Sequence, residues 1–165
     1  MKKLVLIMAG LFLFTVANAQ DKEALKAQKA AIKEAESTLK KAKSIYETSI
    51  PNPQYGRKET DYAKLDGALP LIESALQNEY TKNDIQTFQT AADIYYQYYV
   101  KKENEVKADP DNEQLKGEFI DLSSKTLNYC AKYDSLLALD TKAKPEEVKV
   151  RHIQYQNMGV NPAIQ

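Results

Sequence analysis

The sequence predicts an all-α protein of antiparallel helical hairpins, with four long helices followed by a short C-terminal one. Two observations carry this. Apolar side chains recur every three or four residues through most of the chain, and a helix turning once per 3.6 residues gathers them on one face. Glycine and proline are few, five and six among 165 residues, and they fall at separated points, whereas a many-stranded sheet needs frequent turn residues.

The first 19 residues read as a secretory signal peptide. Lys2 and Lys3 precede an apolar run from Leu4 to Val16, and Ala17-Asn18-Ala19 supplies a small-x-small cleavage site before Gln20. The run is shorter than the roughly 20 apolar residues of a membrane span. The expected organisation is a signal peptide over 1–19, a helical-hairpin domain over 20–143, and a short helix with a loose tail over 144–165. The expected destination is the bacterial periplasm or beyond, with no integral membrane segment after cleavage. The residue directly after the cleavage site is Gln20 and not cysteine, which argues against a lipid anchor there.

Composition then excludes several classes. One cysteine makes no internal disulfide, and one histidine with one cysteine makes no structural zinc site. The full sequence holds 23 basic and 23 acidic residues, a balance that argues against a dedicated nucleic-acid binder. Cys130 lies beside an apolar stripe and is expected to be buried.

The first helix is expected from about Lys22 to Ser49. Its stripe is Leu25, Gln28, Ile32, Ala35, Leu39, Ala42 and Tyr46, with Lys, Glu and Gln between. Pro51 and Pro53 end it, because proline lacks the N–H a helix needs and pushes its predecessor out of helical geometry. A polar loop over 51–59 follows, and Thr60 or Asp61 offers a cap for the second helix, with Tyr62, Leu65, Leu69, Ile72, Ala75 and Leu76 as its stripe. Pro70 interrupts that helix. The apolar phase continues across it, so a kink near Asp66 is expected rather than a fresh start at Leu69. The third helix runs from about Asp84 to Val106 on Ile85, Phe88, Ala92, Tyr95, Tyr99 and Val106. Asp109 is expected to cap the fourth helix, with Pro110 at its first position. That helix reaches about Leu139 on Leu115, Phe119, Leu122, Thr126, Tyr129, Tyr133 and Leu136 or Leu137, with Gly117 a weak point. Pro145-Glu146-Glu147 looks like the start of a short fifth helix.

Several of these residues resemble the tetratricopeptide repeat, a stack of helical hairpins of about 34 residues each. Phe88, Ala91, Ala92 and Tyr95 follow the order of large aromatic, small, small and tyrosine found in the first helix of a unit. Ala68, Ile72, Ala75 and Leu76 follow the order of its second helix. Leu136 to Thr141 resembles the end of a unit, and Leu71 to Tyr96 looks like the N-terminal region of secreted bacterial proteins of this kind. The separation of Ala75 from Leu136 is well beyond one standard repeat. The resemblance implies a non-catalytic protein-interaction or scaffolding module without a cofactor, its protein partner unspecified. A coiled-coil structural oligomer is the alternative, because the first helix carries a near-heptad stripe that invites self-association.

The candidate binding residues are Tyr96 and Tyr98, within the run Tyr95-Tyr96-Gln97-Tyr98-Tyr99. Residues 100° apart place Tyr95 and Tyr99 on the core face and Tyr96 and Tyr98 beside it, where a peptide or a sugar could meet them. No residue set reads as catalytic. Asp109 to Glu113 lacks the calcium-loop glycine, with Gln114 in its place, and Ile120 stands where the bidentate glutamate belongs. His152 has no nucleophile or orienting acid nearby. The lysines of the first helix alternate with acids and form a mixed, solvated face.

Overall fold

The structure is a computed structural model that describes residues 2–139, with side chains from Lys22 onward. Among the described residues the fold is all-α, as expected. Helix α1 spans Lys2–Ser49, α2 Tyr62–Leu65, α3 Leu69–Gln77, α4 Ile85–Ala108 and α5 Glu113–Leu137. The helix expected from Lys22 begins at Lys2 and continues without a break. The expected fifth helix and the tail over 144–165 lie outside the described residues.

Each turn folds the chain back on itself. Gly67 and Ile45, and then Ala75 and Ala35, place α3 antiparallel to α1. Bonds from Tyr98 to Asp66 and from Tyr95 to Glu73 set α4 antiparallel to α3. Tyr99 against Phe119 and Tyr95 against Tyr129 set α5 antiparallel to α4. Helix α4 is therefore packed on two sides. Ala91, Ile94 and Tyr95 join Leu39, Ala42, Leu65, Ala68, Ile72 and Ala75 in one core. Ala92 turns the other way, into a second core with Cys130, Tyr133 and Leu137. Thr87, Thr90 and Ile94 are buried as well, so the buried surface of α4 is wider than the single stripe expected.

The stripe of α1 is buried only in part. Ala35, Leu39 and Ala42 are in the core, but every residue from Lys22 to Ala30 is exposed. Leu25 and Gln28 were expected on the buried face, and Leu25 is 51% exposed. The reason is length. The end of α3 and its cap Asn78 lie beside Ala31 to Thr38 of α1, and the exposed residues of α1 lie beyond that level.

The second helix is interrupted at Asp66, where the kink was expected, and resumes as α-helix at Leu69. Between α2 and α3, Asp66–Ala68 tightens to one 3-10 turn while the backbone stays right-handed helical. Pro70 cannot donate to the carbonyl four residues back, which is that of Asp66. The Leu69 N–H donates to that carbonyl instead, so the tighter turn satisfies the group that proline orphans.

Caps explain the remaining boundaries. Asp61 accepts from Lys64 N at 3.0 Å and Asp84 from Gln86 N at 2.9 Å. The cap of α5 is Asn112, which accepts from Leu115 N at 3.1 Å, and not Asp109 as expected. Asp109 instead closes α4 with its N–H on the Glu105 carbonyl, and its carboxylate accepts from Asn112 Nδ2 at 3.0 Å. Pro110 thus lies in the turn rather than at the first helical position. Buried hydroxyls in the core bond back to the preceding turn, Ser123 to Phe119 O at 2.6 Å and Thr126 to Leu122 O at 2.8 Å. That is how α5 buries polar side chains on a face packed against α4.

Candidate functional site

The tyrosines of α4 divide as helical geometry demands. Tyr95 and Tyr99 are buried, and Tyr96 and Tyr98 are half-buried. The two candidate binding residues do not share a surface. Tyr98 faces α2, its ring 5.9 Å from that of Tyr62 and its hydroxyl donating to Asp66 at 2.7 Å. Tyr96 faces the second core and stacks on Tyr99 at 5.9 Å with the rings 13° from parallel. Two residues of helix turn the chain by about 200°, which sends the two rings to opposite flanks. The matching residues Phe88, Ala91, Ala92, Ala68, Ile72, Ala75 and Leu76 all lie at the helix seams, with the four alanines and Ile72 buried and Phe88 and Leu76 half-buried.

A polar cluster forms around Tyr95 that spacing did not reveal. The Tyr95 hydroxyl donates to Glu73 of α3 through a short bond. Lys125 of α5 donates to Glu73 Oε1 at 2.7 Å and to the Tyr95 hydroxyl at 2.8 Å. Its ammonium also sits 4.4 Å from the Tyr95 ring centroid, a cation–π distance, and the Tyr129 ring is 5.2 Å from that of Tyr95. Three helices meet through these three side chains. The partners are 22, 30 and 52 residues apart in sequence, so no local signal could have joined them.

The electrostatics keep these groups in their ordinary protonation states. Burial raises the Tyr95 phenol well above its usual range, and the Glu73 carboxylate raises it further. Burial likewise raises Tyr98, helped by its bond to Asp66. For Glu73, burial acts to raise the carboxyl, but bonds from Lys125 and Tyr95 outweigh it and hold the group below its usual range. Burial pushes the Cys130 thiol up to about 12, with Asp134 and Asp93 adding to it, and the side chain is buried as expected. The phenols therefore serve as hydrogen-bond donors and the thiol stays protonated.

A second polar hub ties α2 to α4. Tyr62 donates to the Gln97 carbonyl at 3.0 Å, and Thr60 donates to the Gln97 side chain, also at 3.0 Å. Among the described residues no group of three His, Cys, Asp or Glu side chains could hold a metal ion. Among them too, no helix is long and apolar enough to cross a membrane.

The class defined by this geometry is an all-α protein of antiparallel helices. No family model matches the chain, and no curated protein or solved structure is detectably similar to it.

Proposed function

We propose that the chain is a non-catalytic protein-interaction or scaffolding module of tetratricopeptide-like helical hairpins. The observation that carries this reading is the layering of α4 between α3 and α5 through small side chains. Ala68, Ala75, Ala91 and Ala92 are buried at the seams, where they let helices approach closely, and the sequence resemblance reads them as the small residues of the repeat. A stack of this kind buries its middle helix and leaves its outer helices open at the ends. Apolar side chains stand exposed there, Leu25 at 51%, Ile120 at 61% and Leu139 at 77%. Such positions suit a partner helix or a further repeat.

The amino-terminal pattern supports export, with Lys2, Lys3, the apolar run to Val16 and Ala17-Asn18-Ala19 before Gln20. N-terminal sequencing of the exported protein should then begin at Gln20. The interaction reading is tested by photo-crosslinking in the producing cell, with a benzophenone residue at Leu25, Ile120 or Leu139 and at Glu113 as a polar control. A discrete protein adduct at the apolar positions is expected. A measurable turnover lost on changing Tyr96→Phe or Tyr98→Phe would overturn the reading.

One observation favours a structural oligomer as the second reading. The stripe of α1 stays open at Leu25, where the helix outruns α3. Pairing of two copies there would make the melting temperature rise with protein concentration.

A further inference from the structure

One face of α4 stays half-open. Tyr95 meets α3 through Glu73, and Asp93 stands about 200° around the helix from it. Ile85, Gln89, Asp93 and Tyr96 recur every three or four residues along that face, and all four are half-buried. On α5, Leu127, Cys130 and Asp134 follow the same spacing, with Cys130 buried and the other two half-buried. Asp93 and Asp134 both lie near enough to Cys130 to raise its thiol, so the two rows line one trough. Helix α1 forms the other wall, where Lys43 donates to Gln86 at 3.5 Å and Tyr46 lies beside Asp93.

The chain itself supplies a matching segment beside this trough. Helices α4 and α5 are antiparallel, so α5 ends near the start of α4, and Leu137 and Ile85 belong to the same core. Asp134 lies within the last turn of α5, and Asp93 is eight residues, about 12 Å, from the start of α4. Twenty-six residues follow Leu139. From Val148 onward they hold Lys149 and Arg151 and no acid, with Val148, Val150, Ile153 and Tyr155 among them. The intervening residues 140–147 can span up to about 28 Å when extended, enough to return from the end of α5 to both aspartates.

We propose that residues 148–155 of this chain dock in the trough on α4, with Lys149 and Arg151 against Asp93 and Asp134. Charge complementarity selects this occupant, because the trough is acidic and the segment basic. The apolar residues of the segment meet Ile85, Tyr96 and Leu127, whose rings and methyl groups gain from leaving water. Each contact is weak, but the segment is tethered, and a short tether gives an effective concentration of order millimolar. A second copy of the chain has no such advantage at the same face. Tyr96 then meets the chain's own segment rather than an outside ligand. This docking is independent of the interaction reading above.

The test is photo-crosslinking of the purified full chain with a benzophenone residue at His152 or Gln154, which leaves the apolar and basic residues of the segment in place. Equal amounts of unlabelled and 15N-labelled protein are mixed, and the adducts are mapped by mass spectrometry. Adducts within one chain, at residues 85–96 of α4 or 127–134 of α5, are expected. Asp93→Asn combined with Asp134→Asn should lower their yield by at least about two-fold. Raised salt should lower it in the parent protein as well, which reads the charge match without any substitution. No adduct, adducts on other faces, adducts only between labelled and unlabelled copies, or a yield unchanged by both the substitutions and salt would overturn the proposal.

Discussion

The guanidinium of Arg57 closes the end of α1 by donating to the Thr48 carbonyl at 2.8 Å. A second nitrogen of the same group reaches the Glu47 carbonyl at 3.2 Å. The last carbonyls of a helix have no partner within it, and they carry the negative end of its dipole. A cation from the following loop satisfies both needs. The loop is shaped for this by paired backbone bonds between Asn52 and Arg57, at 2.9 and 3.1 Å, and by Gly56 at a φ of 69°.

Arg57→Ala is therefore expected to lower unfolding stability by about 1–2 kcal/mol. Urea denaturation followed by circular dichroism measures it, and an unchanged midpoint would show that water replaces the cap at no cost.

Two glycines should respond in opposite directions. A Cβ at Gly117 meets nothing within 4 Å, and the residue lies inside α5, so Gly117→Ala should stabilise by about 1 kcal/mol. Gly56 is left-handed, where an L side chain is strained, so Gly56→Ala should destabilise by about 1–2 kcal/mol. The pair of denaturation midpoints checks both signs in one experiment.

The Glu73 cluster gives stability a pH dependence of known sign. The folded carboxyl is held below its unfolded value, so its contribution is complete above the ordinary glutamate pKa of about 4.3. It fades as pH falls through the lower folded value. Glu73→Gln should flatten the acid limb of the stability–pH profile, and Lys125→Met should do the same by removing the donor. An acid limb in either variant as steep as in the parent would show that other carboxylates carry it.

Cys130 should be silent toward a thiol reagent in the folded state. It is buried and its thiol is pushed up to about 12. Labelling with Ellman's reagent should therefore follow global unfolding, speeding in urea in step with the loss of helical signal. Fast labelling in buffer would mean that α5 opens locally.

The seam between α3 and α4 should tolerate little change of volume. Ile94 is fully buried, and Ile94→Ala is expected to cost about 2–5 kcal/mol through the cavity it leaves. Ala91→Leu should cost about 1–3 kcal/mol through overpacking, because the side chain has no space to enter. Calorimetry measures both, and a stabilised Ala91→Leu protein would show a looser seam than the burial indicates.

Much of this was legible in the residues. The spacing placed Tyr95 and Tyr99 inside and Tyr96 and Tyr98 beside them, and a helix of fixed pitch allows little else. Cys130 lay beside an apolar stripe and is buried. The misses share a cause. Asp109 and Asn112 are both good caps three residues apart, and which one serves depends on where α5 meets α4. Leu25 continues the stripe of α1, yet it is exposed because α3 ends before reaching it. Burial belongs to a pair of elements, and one helix read alone does not contain its partner's length.

The sequence by itself determined that the chain is helical, where most helices end, and which face of each is apolar, because these follow from backbone sterics and a pitch of 3.6 residues. The tertiary structure alone decided that α4 is buried on two sides and that Glu73, Tyr95 and Lys125 meet. It also decided that Tyr96 and Tyr98 face apart toward different neighbours. Those contacts join residues far apart in sequence, and only the packing of whole helices brings them within hydrogen-bond reach.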